Sequence, residues 1–232
     1  MLVGNSRWHW YSRLAEGKAQ GWSEAPTAGQ QRLKALTPEQ LVAWAAVGND
    51  PDPLPQGPRI TTVQVPLAQA PPWLGVDRAL AGWAAWRRSG RQPVLVADAG
   101  TALSLTRVDG EGRFAGGRLL AGAGLQLRAL AQGTAVLPEL APTTFCTHQP
   151  ANDWPEATDQ AMAIGISQAL AAALVDAAHR LQGSELQLHQ LWLTGGDGPW
   201  LAPLLAQAGQ SWHQDPLLVV EALAELRPAP DL

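Results

Sequence analysis

The run QPVLVADAG, residues 92–100, closes on Asp98-Ala99-Gly100 and passes to Thr101. A carboxylate at the end of a buried strand sits at the mouth of a cleft. The glycine that follows lets backbone approach a bulky anion with no side chain in the way. The amides of the turn and the Thr101 hydroxyl can then bind phosphate oxygens, as converging N–H groups do. The plainer reading is an Asp that caps its own turn, and taken alone it is the commoner one. Thr194-Gly195-Gly196-Asp197 follows a second apolar run, LHQLWL. A strand ending in two glycines offers a flat surface on which a planar ring such as adenine can lie. A simple strand-to-helix turn would use the same residues.

Gly75-Val76-Asp77-Arg78 sets a carboxylate beside a guanidinium at the start of a helical stretch. Asp77 there is a favoured cap, or else a general base. Arg78 can grip a carboxylate or phosphate with its fork. Gly116 and Gly117 before Arg118-Leu119-Leu120-Ala121, and Gly122 after it, imply close approach of backbone to something, or simply hairpin and helix-entry geometry. Gly4-Asn5-Ser6 is turn chemistry reached after only three residues, with Trp8 and Trp10 alternating behind it.

The elements that must position these groups alternate between strand and helix. WHWYSRL, residues 8–14, has strand periodicity, and 15–22 reads as a polar turn with a further short strand. Thr37-Pro38-Glu39 opens a helix, with Leu41, Val42, Ala45 and Ala46 at helical spacing. A proline-rich break at 49–58 precedes a strand over 60–67. A helix runs from near Asp77 to Arg88. Residues 101–122 form two strands around Asp109-Gly110-Glu111-Gly112. A helix ends at Gly133, and residues 139–155 are irregular. The long alanine-rich helix spans Pro155 to Gln182, and a strand ends in the turn at Gly195. A further helix, a short strand at 210–213 and a last helix over 217–226 complete an α/β chain.

The 232 residues suffice for one large domain or two small ones. Net charge is −4 and the basic residues are scattered, so the basic footprint of a nucleic-acid binder is missing. No apolar run approaches the ~20 residues that span a bilayer, and the start shows no signal-peptide pattern. The single cysteine, Cys146, fits a reducing cytoplasm. Eleven Trp stand against one Tyr and two Phe, which reads as Trp filling the core.

MLVGNSRWHW and VLVADAGTALSL share one form: apolar residues, a tight glycine turn, an alternating strand. That echo is either coincidence or the mark of two similar half-domains. The ordered series GNS, GVDR, DAGTA, GGRLLAG, TAVLP, a helix with Thr158-Asp159-Gln160-Ala161 and Gly165, then TGGD resembles one family, type III pantothenate kinase of the actin-like ATPase superfold. The resemblance covers nearly the whole chain, and residues 75–138 carry most of its specificity.

It implies two ribonuclease-H-like domains of mixed sheets flanked by helices, with ATP in the cleft between them. Residues 1–90 would carry the first phosphate hairpin. Residues 91–232 would carry the second, together with the adenosine-side glycines. The implied activity is ATP-dependent phosphorylation of pantothenate to 4′-phosphopantothenate, the first step of coenzyme A synthesis. The implied setting is a cytoplasmic homodimer using Mg²⁺ and a monovalent cation, K⁺ or NH₄⁺, with no nucleic-acid or membrane partner. Asp77 matches the family's catalytic base; Gly75, Val76, Arg78 and Thr158 match substrate contacts. Gly4, Asn5, Ser6, Thr101, Gly195 and Gly196 match ATP contacts, and Asp98 the monovalent-cation site.

The sequence also departs from the family. The first turn usually reads Asp-x-Gly-Asn-Thr/Ser, and here Leu2 takes the Asp position. A Tyr usually precedes the GxDR element, where this chain has LAQAPPW with Trp73 nearby. Ala121 replaces a Pro, and Thr106 stands where Asp is common. The Leu2 departure gives a second reading, a weakened or inactive member acting as a regulatory binding protein.

Overall fold

The computed structural model describes residues 1–13, 18–141, 153–184 and 189–226. Cys146 and part of the expected irregular segment 139–155 lie outside them. Contacts divide the chain into two compact units. The first holds Met1–Gln92, Thr106–Gly116 and Leu217–Leu232, and the second holds Pro93–Leu105 and Gly117–Pro216. The division is discontinuous, with Thr106–Gly116 and Leu217–Leu232 grouped with Met1–Gln92.

In the first unit, strands β1 (Leu2–Val3), β2 (Trp8–Arg13), β3 (Ala19–Glu24) and β4 (Ala45–Ala46) form a sheet of order β3-β2-β1-β4. β1 pairs antiparallel with β2 and parallel with β4. Alternation decides the faces. Met1, Val3, Trp8 and Trp10 share a buried cluster with Leu33, Leu41 and Trp44, while Leu2 is buried outside that cluster. Trp10 and Trp22, paired across β2 and β3, stack at 6.2 Å under the Arg32 guanidinium, which Glu24 holds at 2.8 Å.

Helix α1 (Pro26–Ala35) was not expected. Its sequence PTAGQQRLKA buries only Gly29 and Leu33, too little for a helical stripe to be read. Gly29 lets the helix press on β2, since a Cβ there would lie 2.5 Å from the Trp8 ring.

The expected helix from Thr37 through Ala46 is corrected to a 3₁₀ turn, Pro38–Gln40, with Thr37 and Gln40 capping each other. The chain then extends into β4. The peptide N–H groups of Ala45 and Val47 donate to the carbonyls of Met1 and Val3 at 3.0 and 2.8 Å, so β1's need for a hydrogen-bonded neighbour overrides local helical spacing. The expected strand over 60–67 is likewise a 3₁₀ turn, Thr62–Gln64, pinned where the Thr62 hydroxyl donates to the Leu74 carbonyl at 2.6 Å.

Helix α2 (Val76–Arg88) follows. Arg87 and Arg88 close ion pairs with Glu225 and Glu221 of α6 (Leu218–Glu225), which draws the C-terminal segment back to this unit.

Strands β5 (Val94–Ala99), β6 (Ala102–Val108), β7 (Phe114–Ala121), β8 (Gln190–Thr194) and β9 (His213–Gln214) make the second sheet, of order β7-β6-β5-β8-β9. β8 is parallel to both β5 and β9. The strand expected over 210–213 is confined to β9. Helices α3 (Ala123–Gly133), α4 (Thr158–Ser184) and α5 (Gly198–Gln207) complete the second unit. α4 packs against α3 and α5.

Leu170 and Leu174 of α4 are buried in one core with Leu95, Leu103, Leu105, Leu127, Leu193 and Leu201. The expectation that no apolar stretch reaches membrane-spanning length is corrected here. Residues 158–182 are long and apolar enough by composition, and 44% of the most apolar window is buried inside the protein.

Candidate active site

Asp77 stands in the first turn of α2. Gly75 occupies the cap position, and no side chain caps the helix, so Asp77 is not the N-cap. Its Oδ1 instead accepts the Arg78 peptide N–H at 2.8 Å. Gly75 makes room for that carboxylate, since a Cβ there would lie 2.5 Å from Asp77 Oδ1. Burial pushes the Asp77 carboxyl above the usual carboxylate range, and the Arg78 N–H and guanidinium oppose that rise in part. A carboxylate so perturbed, with one oxygen fixed, is suited to taking a proton from an alcohol. The Arg78 fork lies over the Phe114 ring at 5.9 Å, and its Nε donates to the Thr106 hydroxyl at 3.1 Å. Thr106, where the family commonly has Asp, thus orients Arg78 without neutralising it.

The Gly4-Asn5-Ser6 turn joins β1 to β2 in the same unit. The Gly4 amide donates to the Arg7 carbonyl at 3.0 Å, and a Cβ on Gly4 would come within 2.7 Å of that oxygen. Asn5 Oδ1 lies over Gly48, a residue at φ +102° just beyond β4. Gly48 lines a cavity of about 380 Å³ whose walls are residues 46–48, 59–63, 72 and 74–76. The first turn, the cavity and the Gly75–Arg78 element therefore follow one another. Leu2 is 6% exposed and has His9 and Ala45 as its partners in the neighbouring strands.

In the second unit three chain segments meet at the ends of β5 and β8. Asp98 is the register partner of Thr194. Gly195, at φ +88°, faces Asp98 closely: a Cβ there would lie 2.6 Å from Asp98 Oδ1 and would overlap the Ala99 carbonyl. A Cβ on Gly122, the cap of α3, would overlap the Gly100 carbonyl, so only glycine allows the segments to touch. Nothing lies within 4 Å of the Cβ positions of Gly100 and Gly196. Side-chain-free backbone beside Thr101 faces open space there, as a phosphate cradle requires. Thr158 is exposed at the first turn of α4.

Asp197 and Arg59 carry charge near these elements and stood outside the expected contacts. Asp197 accepts the Ala123 backbone N–H and a bond from Trp200, tying α3 to the β8 turn. Burial pushes its carboxyl up to about 6 against these bonds. Because its folded pKa is raised, the ionised form opposes folding once pH passes the unfolded value near 4, with the full effect above about 6. Asp197→Asn is therefore expected to melt a few degrees above wild type at pH 7.5, with the difference vanishing near pH 3.5, as thermal scans in matched buffers would read.

Two sheets flanked by helices, each with a glycine turn at the end of a strand, are the framework of the actin-like ATPase and sugar-kinase class. A Baf family transcriptional activator from Campylobacter jejuni is 18% identical and superposes with a TM-score of 0.61 over 97% of this chain and 94% of its own. The activator of 2-hydroxyisocaproyl-CoA dehydratase from Clostridium difficile, with bound ADPNP, gives 0.55 at 12% identity over 97% and 93%. These likenesses show the fold alone.

The family model described as type III pantothenate kinase matches residues 42–180. Type III pantothenate kinases from Synechococcus strains JA-3-3Ab and JA-2-3B'a(2-13) are 39% and 42% identical over 97% of this chain, spanning 90% and 87% of their own lengths. That of Thermosynechococcus vestitus is 38% identical over 98% and 89%. The chain belongs to the type III pantothenate kinase family.

Proposed function

We propose that this chain phosphorylates pantothenate with ATP to give 4′-phosphopantothenate, with Asp77 taking the proton from the primary hydroxyl. The observation that carries the base assignment is the Asp77 environment: a half-buried carboxylate, raised in pKa, fixed through one oxygen, beside a cavity of about 380 Å³. Phosphoryl transfer asks the protein mainly for in-line placement and charge neutralisation. A carboxylate that accepts the proton late, as charge develops on the attacking oxygen, is sufficient. Gly75, Val76 and Arg78 hold the acceptor against that carboxylate, and Thr158 is a further acceptor contact. Gly4, Asn5 and Ser6 meet phosphate oxygens of ATP, as do the amides and hydroxyl at Thr101, and the bare backbone at Gly195 and Gly196 is the adenosine-side surface.

The described residues fit ATP and a monovalent cation better than a protein-held divalent metal. Gly100 and Gly196 leave open backbone for the nucleotide, and Asp98 supplies a carboxylate beside them. No cluster of three or more His, Cys, Asp or Glu side chains suited to a metal occurs among the described residues, and Leu2 offers no ligand. Mg²⁺ would neutralise phosphate charge while keeping most of its waters. K⁺ or NH₄⁺ would sit at Asp98. The working unit is proposed to be a homodimer, as the family resemblance implies, acting as a cytoplasmic enzyme.

The regulatory reading has only Leu2 behind it. The fold likeness to a transcriptional activator does not strengthen it, since at 18% identity it shows fold alone. Purified protein with millimolar ATP, Mg²⁺ and pantothenate is expected to form phosphopantothenate by mass spectrometry, faster in K⁺ than in Na⁺. No product in either salt overturns the reading.

A further inference from the structure

The cavity beside Gly75 has a second feature that the base does not use. Of the described residues that line it, Arg59 alone carries a charge. Its backbone is held against β4, where Trp44 and Arg59 form a parallel bridge and the Ile60 amide donates to the Trp44 carbonyl at 2.7 Å. Its guanidinium lies over the Trp44 ring at 5.1 Å, and Trp44 is in turn fixed by its indole N–H to the Gly57 carbonyl at 2.9 Å. Asp50 grips the fork from one side, at 2.8 Å to one terminal nitrogen and 2.6 Å to the other. A guanidinium has five N–H donors, and a carboxylate gripping the two terminal nitrogens uses two of them. The side chain remains 45% exposed. Arg59 is thus a pre-oriented cation, stacked on one face and braced on one edge.

We propose that Arg59 binds the carboxylate of the acceptor, so that the cavity selects an alcohol bearing an anion at its far end. This rests on the pantothenate kinase reading. The connection between the two segments agrees with it. The Thr62 hydroxyl is bonded to the carbonyl of Leu74, the residue before Gly75, so the segment carrying Arg59 is tied to the segment carrying the base. Arg59 lines the same cavity as Gly75 and Val76, the two residues before Asp77, so an acceptor in that cavity can meet both groups. A volume of about 380 Å³ suits a ligand of this size. Asp50 holds one N–H of each terminal nitrogen and balances the charge, so an incoming carboxylate would be met by the N–H donors that the ion pair leaves unspent.

The test compares pantothenate with pantothenyl alcohol, which keeps the reacting hydroxyl and replaces the carboxylate by a neutral CH₂OH. Wild type is expected to prefer pantothenate in kcat/KM by about ten- to thirtyfold. In Arg59→Gln the preference collapses to near one through a higher KM for pantothenate, with KM for ATP and kcat at saturation held within about twofold. Arg59→Lys keeps the charge without the fork and falls between. Melting temperatures of the variants report whether the fold is kept.

A preference that survives in a folded Arg59→Gln overturns the proposal, and so does a rise confined to KM for ATP, which would place Arg59 on the nucleotide. A wild type that uses both acceptors equally overturns the carboxylate contact and leaves the kinase reading standing. A wild type that uses neither overturns both.

Discussion

Asp77→Asn is expected to lower kcat by about 10²–10⁴-fold while leaving KM for ATP and pantothenate nearly unchanged. The geometry allows this clean separation. An amide oxygen can still accept the Arg78 peptide N–H that Asp77 Oδ1 now accepts at 2.8 Å, so the first turn of α2 keeps its shape. What disappears is the capacity to hold a proton. Burial is the largest influence on the Asp77 carboxyl and raises it, so a neutral isostere removes a desolvated charge. The variant should then melt no lower than wild type at neutral pH.

The pH profile provides a second reading of the same residue. In the proposed role Asp77 acts ionised, so wild-type kcat/KM should climb with pH along an acid limb displaced above the ordinary aspartate range. In Asp77→Asn the residual rate should lack that limb. A variant with full turnover, or one that keeps the limb, would refute the assignment.

The turns were more legible in the sequence than their surroundings. Glycines beside a lone carboxylate mark backbone that must pass close to something, and Gly75, Gly122 and Gly195 do so here against Asp77, Gly100 and Ala99. Helix α2 was read from its helical stretch, β5 from its apolar run, and β6 and β7 from the turn between them, without tertiary help. The short elements misled. Ala45 and Ala46 have helical neighbours in sequence but strand neighbours in space, because β1 needed a partner for its carbonyls. Arg59 gave no signal at all. It sits in a proline-rich loop, and its importance comes from Trp44 below it and Asp50 beside it, which only folding brings together. Asp197 read as part of a turn, whereas its carboxylate in fact braces the start of α3.

Leu2 is where the proposed first phosphate turn departs from the pattern that the family resemblance implies, and placing a carboxylate there should have two opposed effects. Leu2 is 6% exposed, is flanked in register by His9 and Ala45, and lies outside the cluster that holds Met1 and Val3. Leu2→Asp removes apolar burial and desolvates a charge, at a cost of about 2–4 kcal/mol without nucleotide. The sign with pH follows from burial. The introduced carboxyl titrates higher folded than unfolded, so the loss grows as pH rises from about 4 towards neutrality and is smallest in acid. His9 could soften it. Its imidazole, now held below its usual range by burial and by Arg7, would face an opposite charge across the β1–β2 pair.

Against that loss stands a gain specific to Mg-ATP. A carboxylate two residues before Gly4 can orient the waters of a phosphate-bound Mg²⁺, which leucine cannot. Leu2→Asp should therefore melt lower than wild type alone, be stabilised more than wild type by saturating Mg-ATP, and show KM for ATP reduced about tenfold. A folded variant whose KM for ATP is unchanged or higher would mean that this chain has rebuilt its first phosphate turn to work without the carboxylate. The nucleotide would then rely on donors of the first turn other than the Gly4 amide, which is already given to the Arg7 carbonyl.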